Sequence, residues 1–87
     1  MNSVEIRIMN ASGLHVRPAT QFIKILDKFH SEISVIKGER KVNGKSIMGL
    51  MSLAIAKGTT IKIEAEGLDE QQAIDALVNF IEHELDD

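Results

Sequence analysis

Eighty-seven residues leave room for one small domain, spanning 1–87, with a modest core and no second domain to close over a deep cleft. The absence of cysteine excludes disulfides, thiolate metal sites and cysteine nucleophiles. A net charge of −3 and the lack of Trp and Tyr argue against phosphate-backbone binding and base stacking, so no nucleic-acid partner is expected.

The chain opens on a strand: Val4, Ile6 and Ile8 alternate with Glu5 and Arg7. Asn10–Gly13 breaks it. A helix begins near Val16, with Pro18 in its first turn, where a missing N–H costs nothing, and with Ala19, Phe22, Ile23 and Leu26 at helical spacing. Ile33, Val35 and Ile36 mark a second strand, and Gly38-Glu39 turns the chain into a short third strand around Arg40–Val42. After the Asn43-Gly44 turn, Ser46 reads as the N-cap of a short helix that Gly49 weakens. Gly58 ends that segment. A fourth strand alternates Ile61, Ile63 and Ala65 with Lys62, Glu64 and Glu66. Asp69 then caps a last helix, with Gln72 placed to complete a capping box. Its apolar stripe runs through Ala73, Ile74, Leu77, Val78, Ile81 and Leu85. The order β-α-β-β-α-β-α predicts an α+β fold, an open-faced sandwich in which helices cover one side of a mainly antiparallel sheet.

Charge is uneven. Residues 1–60 hold nine Lys and Arg against four Asp and Glu, while residues 61–87 hold one against nine. A basic body suits an acidic partner, and two solvated surfaces are the plain alternative. The longest nearly apolar stretch, Met48 to Ala56, is too short to span a bilayer, so no membrane insertion is expected. The N-terminus alternates like a strand and lacks the pattern of a signal peptide, which makes the cytoplasm the expected location.

Chemistry concentrates on His15. It lies in Gly13-Leu14-His15-Val16-Arg17-Pro18, in the turn feeding the first helix. A helix N-terminus presents unpaired N–H groups and a partial positive charge, which attract anions and disfavour imidazolium. Arg17 adds a permanent fork of donors two residues on. The pair therefore reads as a nucleophile beside a phosphate cradle, against the simpler reading of a loop histidine and a solvated arginine. His30 and His83 read as surface positions. No second histidine stands at ligand spacing from His15, so no metal is expected, and nothing in the sequence implies a cofactor. Gly44-Lys45-Ser46 is no P-loop, because Glu39 stands where the first glycine is needed. Ile47, Met48, Leu50, Met51 and Leu53 line the short helix nearly all round. Either some of them reach the surface as an adaptable docking patch, or the helix is wholly buried. Glu64, Glu66, Asp69 and Glu70 read as solvated.

Two motifs carry a family resemblance. Gly13-Leu-His15-Val-Arg17-Pro18-Ala19 resembles the active-centre signature of HPr, the histidine-containing phosphocarriers of the bacterial phosphoenolpyruvate-dependent sugar phosphotransferase system. Lys45-Ser46-Ile-Met-Gly-Leu-Met-Ser-Leu53 resembles the segment around that family's regulatory serine. The similarity covers essentially the whole chain. It implies a four-stranded antiparallel sheet covered on one side by three helices. It implies that His15 takes a phosphoryl group on Nδ1 from enzyme I and hands it to the A domains of sugar-specific enzymes II. Arg17 would stabilise the phosphoryl oxygens, and Ser46 would be the target of HPr kinase/phosphorylase. Ile47, Met48 and Met51 would form the shared docking patch, with Lys24, Lys28 and Lys45 as basic candidates facing acidic partners. Such a protein is a carrier, not an enzyme.

Val16 departs from the pattern, since many members carry Ala or Thr there; any hydroxyl contact to phosphate is lost, while the backbone N–H survives. His15 argues against a regulatory paralogue lacking the active-centre histidine. The match around Ser46 points to the sugar branch rather than a nitrogen-branch paralogue. Two other readings stand beside the carrier. One is a regulatory binding protein acting chiefly through Ser46; the other is a small α+β interaction or RNA-binding module with no phosphate chemistry.

Overall fold

Alternation of apolar and polar residues builds the sheet. The computed structural model describes residues 1–85; positions 86 and 87, the end of the expected 1–87 domain and of its acidic segment, lie outside the described residues. Four strands form: β1 (Asn2–Arg7), β2 (Glu32–Lys37), β3 (Arg40–Asn43) and β4 (Thr60–Glu66). Their spatial order is β1-β4-β2-β3, and every pairing is antiparallel. The register aligns Val4, Ile63, Val35 and Val42 in one row across all four strands. The neighbouring row, Glu5, Lys62, Ile36 and Lys41, points to the other face.

Three helices cover the apolar face: α1 (Val16–Leu26), α2 (Ile47–Ser52) and α3 (Glu70–Asn79). The fold is therefore the open-faced β-α-β-β-α-β-α sandwich that the sequence predicts. The apolar spacing of α1 buries Pro18, Ala19, Phe22 and Leu26 against Ile33, Val35, Ile61 and Ile63. Full burial of Phe22 or Leu26 contributes about 1.5–3 kcal/mol each. Lys24, in the last turn of α1, complements the helix dipole.

The last helix departs from the expected single stripe. α3 stops at Asn79, and Phe80–Glu84 continues as a wider π-helical turn. Phe80, seven residues after Ala73 and three after Leu77, falls on the same buried face, 3% exposed, beside Ile81. Val78 and Leu85 are left half-buried.

The expected capping box does not form. Asp69 occupies the N-cap position of α3, yet its side chain makes no cap bond there. Its carboxylate accepts instead from the His30 and Ser31 amides, at 2.8 and 3.0 Å, and from the Ser31 hydroxyl. Gln72 takes no part; Glu70 reaches back to the Gly67 amide at 3.1 Å. Glu66 is exposed as expected, but Glu64, Asp69 and Glu70 are half-buried and hold partners. The Ser31 hydroxyl and the His30 amide hold the Asp69 carboxyl below its ordinary range. The Gly67 amide and the N-terminal ammonium, 3.2 Å away, do the same for Glu70. Lys41, at 3.2 Å, and then Lys62 lower Glu64.

Candidate functional site

The loop between β1 and α1 is fixed at both ends. Gly13 has φ +66, a left-handed conformation that glycine adopts without penalty. A Cβ there would fall 2.3 Å from the Ile55 carbonyl oxygen and 2.8 Å from the Ala56 Cα, so only glycine fits. That closeness lets the Leu14 amide donate to the Ile55 carbonyl at 2.9 Å. Asn10 Nδ2 donates to the Gly13 carbonyl at 2.7 Å, and the Leu14 side chain is buried in the core.

The next residue, His15, is the N-cap of α1, with φ −87 and ψ −172. Its carbonyl accepts the first helical bond, from the Ala19 amide at 2.9 Å. Its imidazole makes no capping bond and is half-exposed, so the ring is free for chemistry. The Val16 and Arg17 amides lie in the first turn, where no helical carbonyl reaches them, and Pro18 has no N–H. Arg17 is exposed, and its guanidinium makes no hydrogen bond or ion pair with a described residue. An anion approaching His15 thus meets two amides, one free guanidinium and the positive end of an eleven-residue helix.

His15 and Met51 line one shallow depression of about 320 Å³, with Ser12, Leu14, Ala54, Ile55 and Ala56. Larger depressions along β1 and beside β2–β3 contain neither His15 nor Arg17. Among the described residues no three His, Cys, Asp or Glu side chains gather into a metal site. No helix among them is long and apolar enough to cross a membrane.

Ser46 caps α2 as its sequence suggests, accepting from the Gly49 amide at 3.0 Å. The two readings of this helix are separated by burial. Leu50 and Leu53 are in the core, while Met48 is 82% exposed, Ile47 36% and Met51 half-buried. Lys24 and Lys28 are exposed. Lys45 has an internal partner: its ammonium donates to the Phe29 carbonyl at 3.0 Å, just beyond the end of α1. Two cations passed over in the sequence have structural work. Lys37 donates to the Leu53 and Ala54 carbonyls, and Arg40 to the Ser52 carbonyl and hydroxyl. Nothing local in the sequence signals these bonds, because the partners lie 12 to 17 residues away.

The profile for "PTS HPr component phosphorylation site" matches residues 2–83. The chain belongs to the HPr family. It is 50% identical over 80 residues to the HPr-like protein Crh of Halalkalibacterium halodurans, covering 92% of this chain and 95% of that one. It is 50% identical over 76 residues to the phosphocarrier protein HPr of Neisseria meningitidis, covering 87% and 85%. The crystal structure of HPr-C-His from Thermoanaerobacter tengcongensis superposes with a TM-score of 0.91 at 52% identity, covering 94% of this chain and 92% of that one. The active-centre and serine motifs, His15 and Ser46 among them, fall within the matched span.

Proposed function

We propose that this HPr-family chain is a phosphoryl carrier of the sugar phosphotransferase system, charged on His15 by phosphorylated enzyme I and discharged to the A domains of sugar-specific enzymes II. The observation that carries this reading is the free, half-exposed imidazole of His15 at the N-terminus of α1, with the unpaired Arg17 guanidinium two residues on. Transfer exchanges one N–P bond for another. The Nδ1 lone pair of His15 attacks phosphorus, the bond to the partner's imidazole breaks, and that electron pair stays on the partner's nitrogen. The proton on Nε2 of His15 does not move. The transition state is loose and in line, so the chain has only to orient the ring and balance charge on the equatorial oxygens. The Val16 and Arg17 amides and the Arg17 side chain supply that charge. A shallow site with few donors holds the phosphoryl group loosely enough for the next partner to take it. The chain works as a single unit over 1–87 in the cytoplasm, and as a carrier its partners supply the rest of each active site.

Ile47, Met48 and Met51 form the docking surface that these partners share, assisted by Lys24, Lys28 and the stem of Lys45. Ser46 is a regulatory phosphorylation site for HPr kinase/phosphorylase. Its oxygen accepts from Gly49, which leaves the hydroxyl proton free to be removed when a phosphoryl group is added. His15 favours this carrier over a relative that acts through Ser46 alone.

Incubation with enzyme I and phosphoenolpyruvate tests the proposal. Wild type should gain one acid-labile phosphate that His15→Ala abolishes. An unlabelled wild type overturns it.

A further inference from the structure

The segment that holds the His15 loop is itself held. Eight consecutive carbonyls, from Gly49 to Ala56, each have a donor. Gly49 takes the Ser52 hydroxyl at 2.7 Å. Leu50 and Met51 take the Leu53 and Ala54 amides, both at 3.2 Å. Ser52 takes Arg40 at 2.6 Å, and Lys37 alone serves Leu53 at 2.8 Å and Ala54 at 3.1 Å. Ile55 takes the Leu14 amide, and Ala56 the Thr59 amide.

The middle of this run is strained. Ala54 has φ +52, the one positive φ at a non-glycine among the described residues, and it stands where a helix terminus usually has glycine. The strained residue lies between the two carbonyls that Lys37 grips, one residue before the carbonyl that fixes Leu14. From the geometry we propose that Lys37 is a positioning residue for His15, locking Leu53 and Ala54 so that Ile55 presents its carbonyl to the loop one residue before the histidine. Arg40 anchors the same helix end from the neighbouring strand. The half-buried ammonium of Lys37 is spent on backbone rather than offered to a partner. The inference rests on the carrier reading only for its kinetic consequence.

The test compares Lys37→Met with wild type, using Lys37→Gln as a milder substitution if the first unfolds. Removing the charge-assisted bonds should speed exchange of the Leu14 amide by about tenfold relative to the Ile63 amide in β4. The His15 ring resonances should shift in the free protein. In phosphorylation by enzyme I, kcat should fall roughly three- to thirty-fold, short of the roughly hundredfold cost of a full ångström of misplacement, with KM within about twofold of wild type. Lys37→Arg, which keeps a cation in reach of both carbonyls, should restore most of the rate. In an Ala54→Gly background the loss should shrink, because glycine adopts this φ without being held. An unchanged Leu14 amide overturns the inference, and so does a rise in KM with kcat intact, which would make Lys37 a docking residue. If enzyme I does not phosphorylate wild type, the carrier reading fails, while the Leu14 amide and the histidine resonances still decide the positioning role.

Discussion

Gly13→Ala is the sharpest single perturbation of the loop that presents His15. A methyl group at position 13 would stand 2.3 Å from a backbone oxygen, so the Ile55 carbonyl must retreat by at least 0.7 Å to reach the 3.0 Å that real contacts keep. That carbonyl is committed to the Leu14 amide, and its neighbours are bonded on both sides, so retreat is not free. The left-handed conformation of an alanine costs about 1–2 kcal/mol. Forcing an extra carbon into a closed contact costs about 1–3 kcal/mol. The stiffer unfolded chain returns about 0.4–1 kcal/mol. The net loss is about 2–4 kcal/mol, a large share of the roughly 5–15 kcal/mol that holds a domain together. At roughly 4–8 °C per kcal/mol for a domain of this size, the melting temperature should fall by about 10–30 °C. Far-UV circular dichroism against temperature and urea measures this, and an unchanged urea slope shows that the folded state itself is retained. Phosphorylation of His15, measured well below the lowered melting point, should also slow. A melting temperature within about 4 °C of wild type would refute the close-contact argument, since it corresponds to less than about 1 kcal/mol.

The Asp69, Glu70 and Glu64 carboxyls are all lowered in the folded chain, so between their folded and ordinary values the unfolded state binds more protons. Stability should therefore be fully present above the ordinary carboxylate range and decline as pH falls through the lowered values; thermal melts from pH 7 to pH 2 trace this, and Asp69→Asn should flatten the curve. Ser46→Ala removes the cap of α2 and should cost about 1 kcal/mol in urea unfolding. Ser46→Asp keeps a capping oxygen but adds charge beside the proposed docking surface; it should leave stability nearly unchanged and slow charging of His15 by enzyme I, and equal rates would count against a shared surface. Met48→Ser, at a side chain in solvent, should stay within about 0.5 kcal/mol of wild type in urea while raising KM for enzyme I.

What the sequence reveals and what it hides divide by range. β1 and β4 are legible because one face is buried and the other wet, so Val4, Ile6, Ile61 and Ile63 declare themselves within six residues. The start of α1 is legible because Pro18 and the apolar spacing after it are local signals, and that start is what places His15 and Arg17. Ser46 is legible because an N-cap is a contact over three residues. Asp69 misleads for the opposite reason. It stands where a cap should stand, but its partners at His30 and Ser31 are 39 and 38 residues away and present two amides and a hydroxyl at once. Phe80 stands seven residues after Ala73 and three after Leu77, so the helical period already offers it; what the period does not show is the π turn that begins there. Lys37, Arg40 and Lys45 look like surface charge until the fold brings helix-end carbonyls under them.

The closure of the His15 loop on Ile55 also bears on when the site comes into being during synthesis. His15 is near the N-terminus, but its loop is secured by residues 55–59, through Leu14 to Ile55 and Ile8 to Gly58 and Thr59. The first strand pairs only with the fourth, so Arg7 waits for Thr60 and Asn2 for Ala65. Such non-local pairings close late, because long loops must be ordered before their contacts form. Until β4 has been made, a growing chain exposes the histidine without the backbone that holds its loop. On the proposed role of His15, competence is therefore acquired nearly all at once, when β4 arrives, and a labelled His15 would report a completed fold.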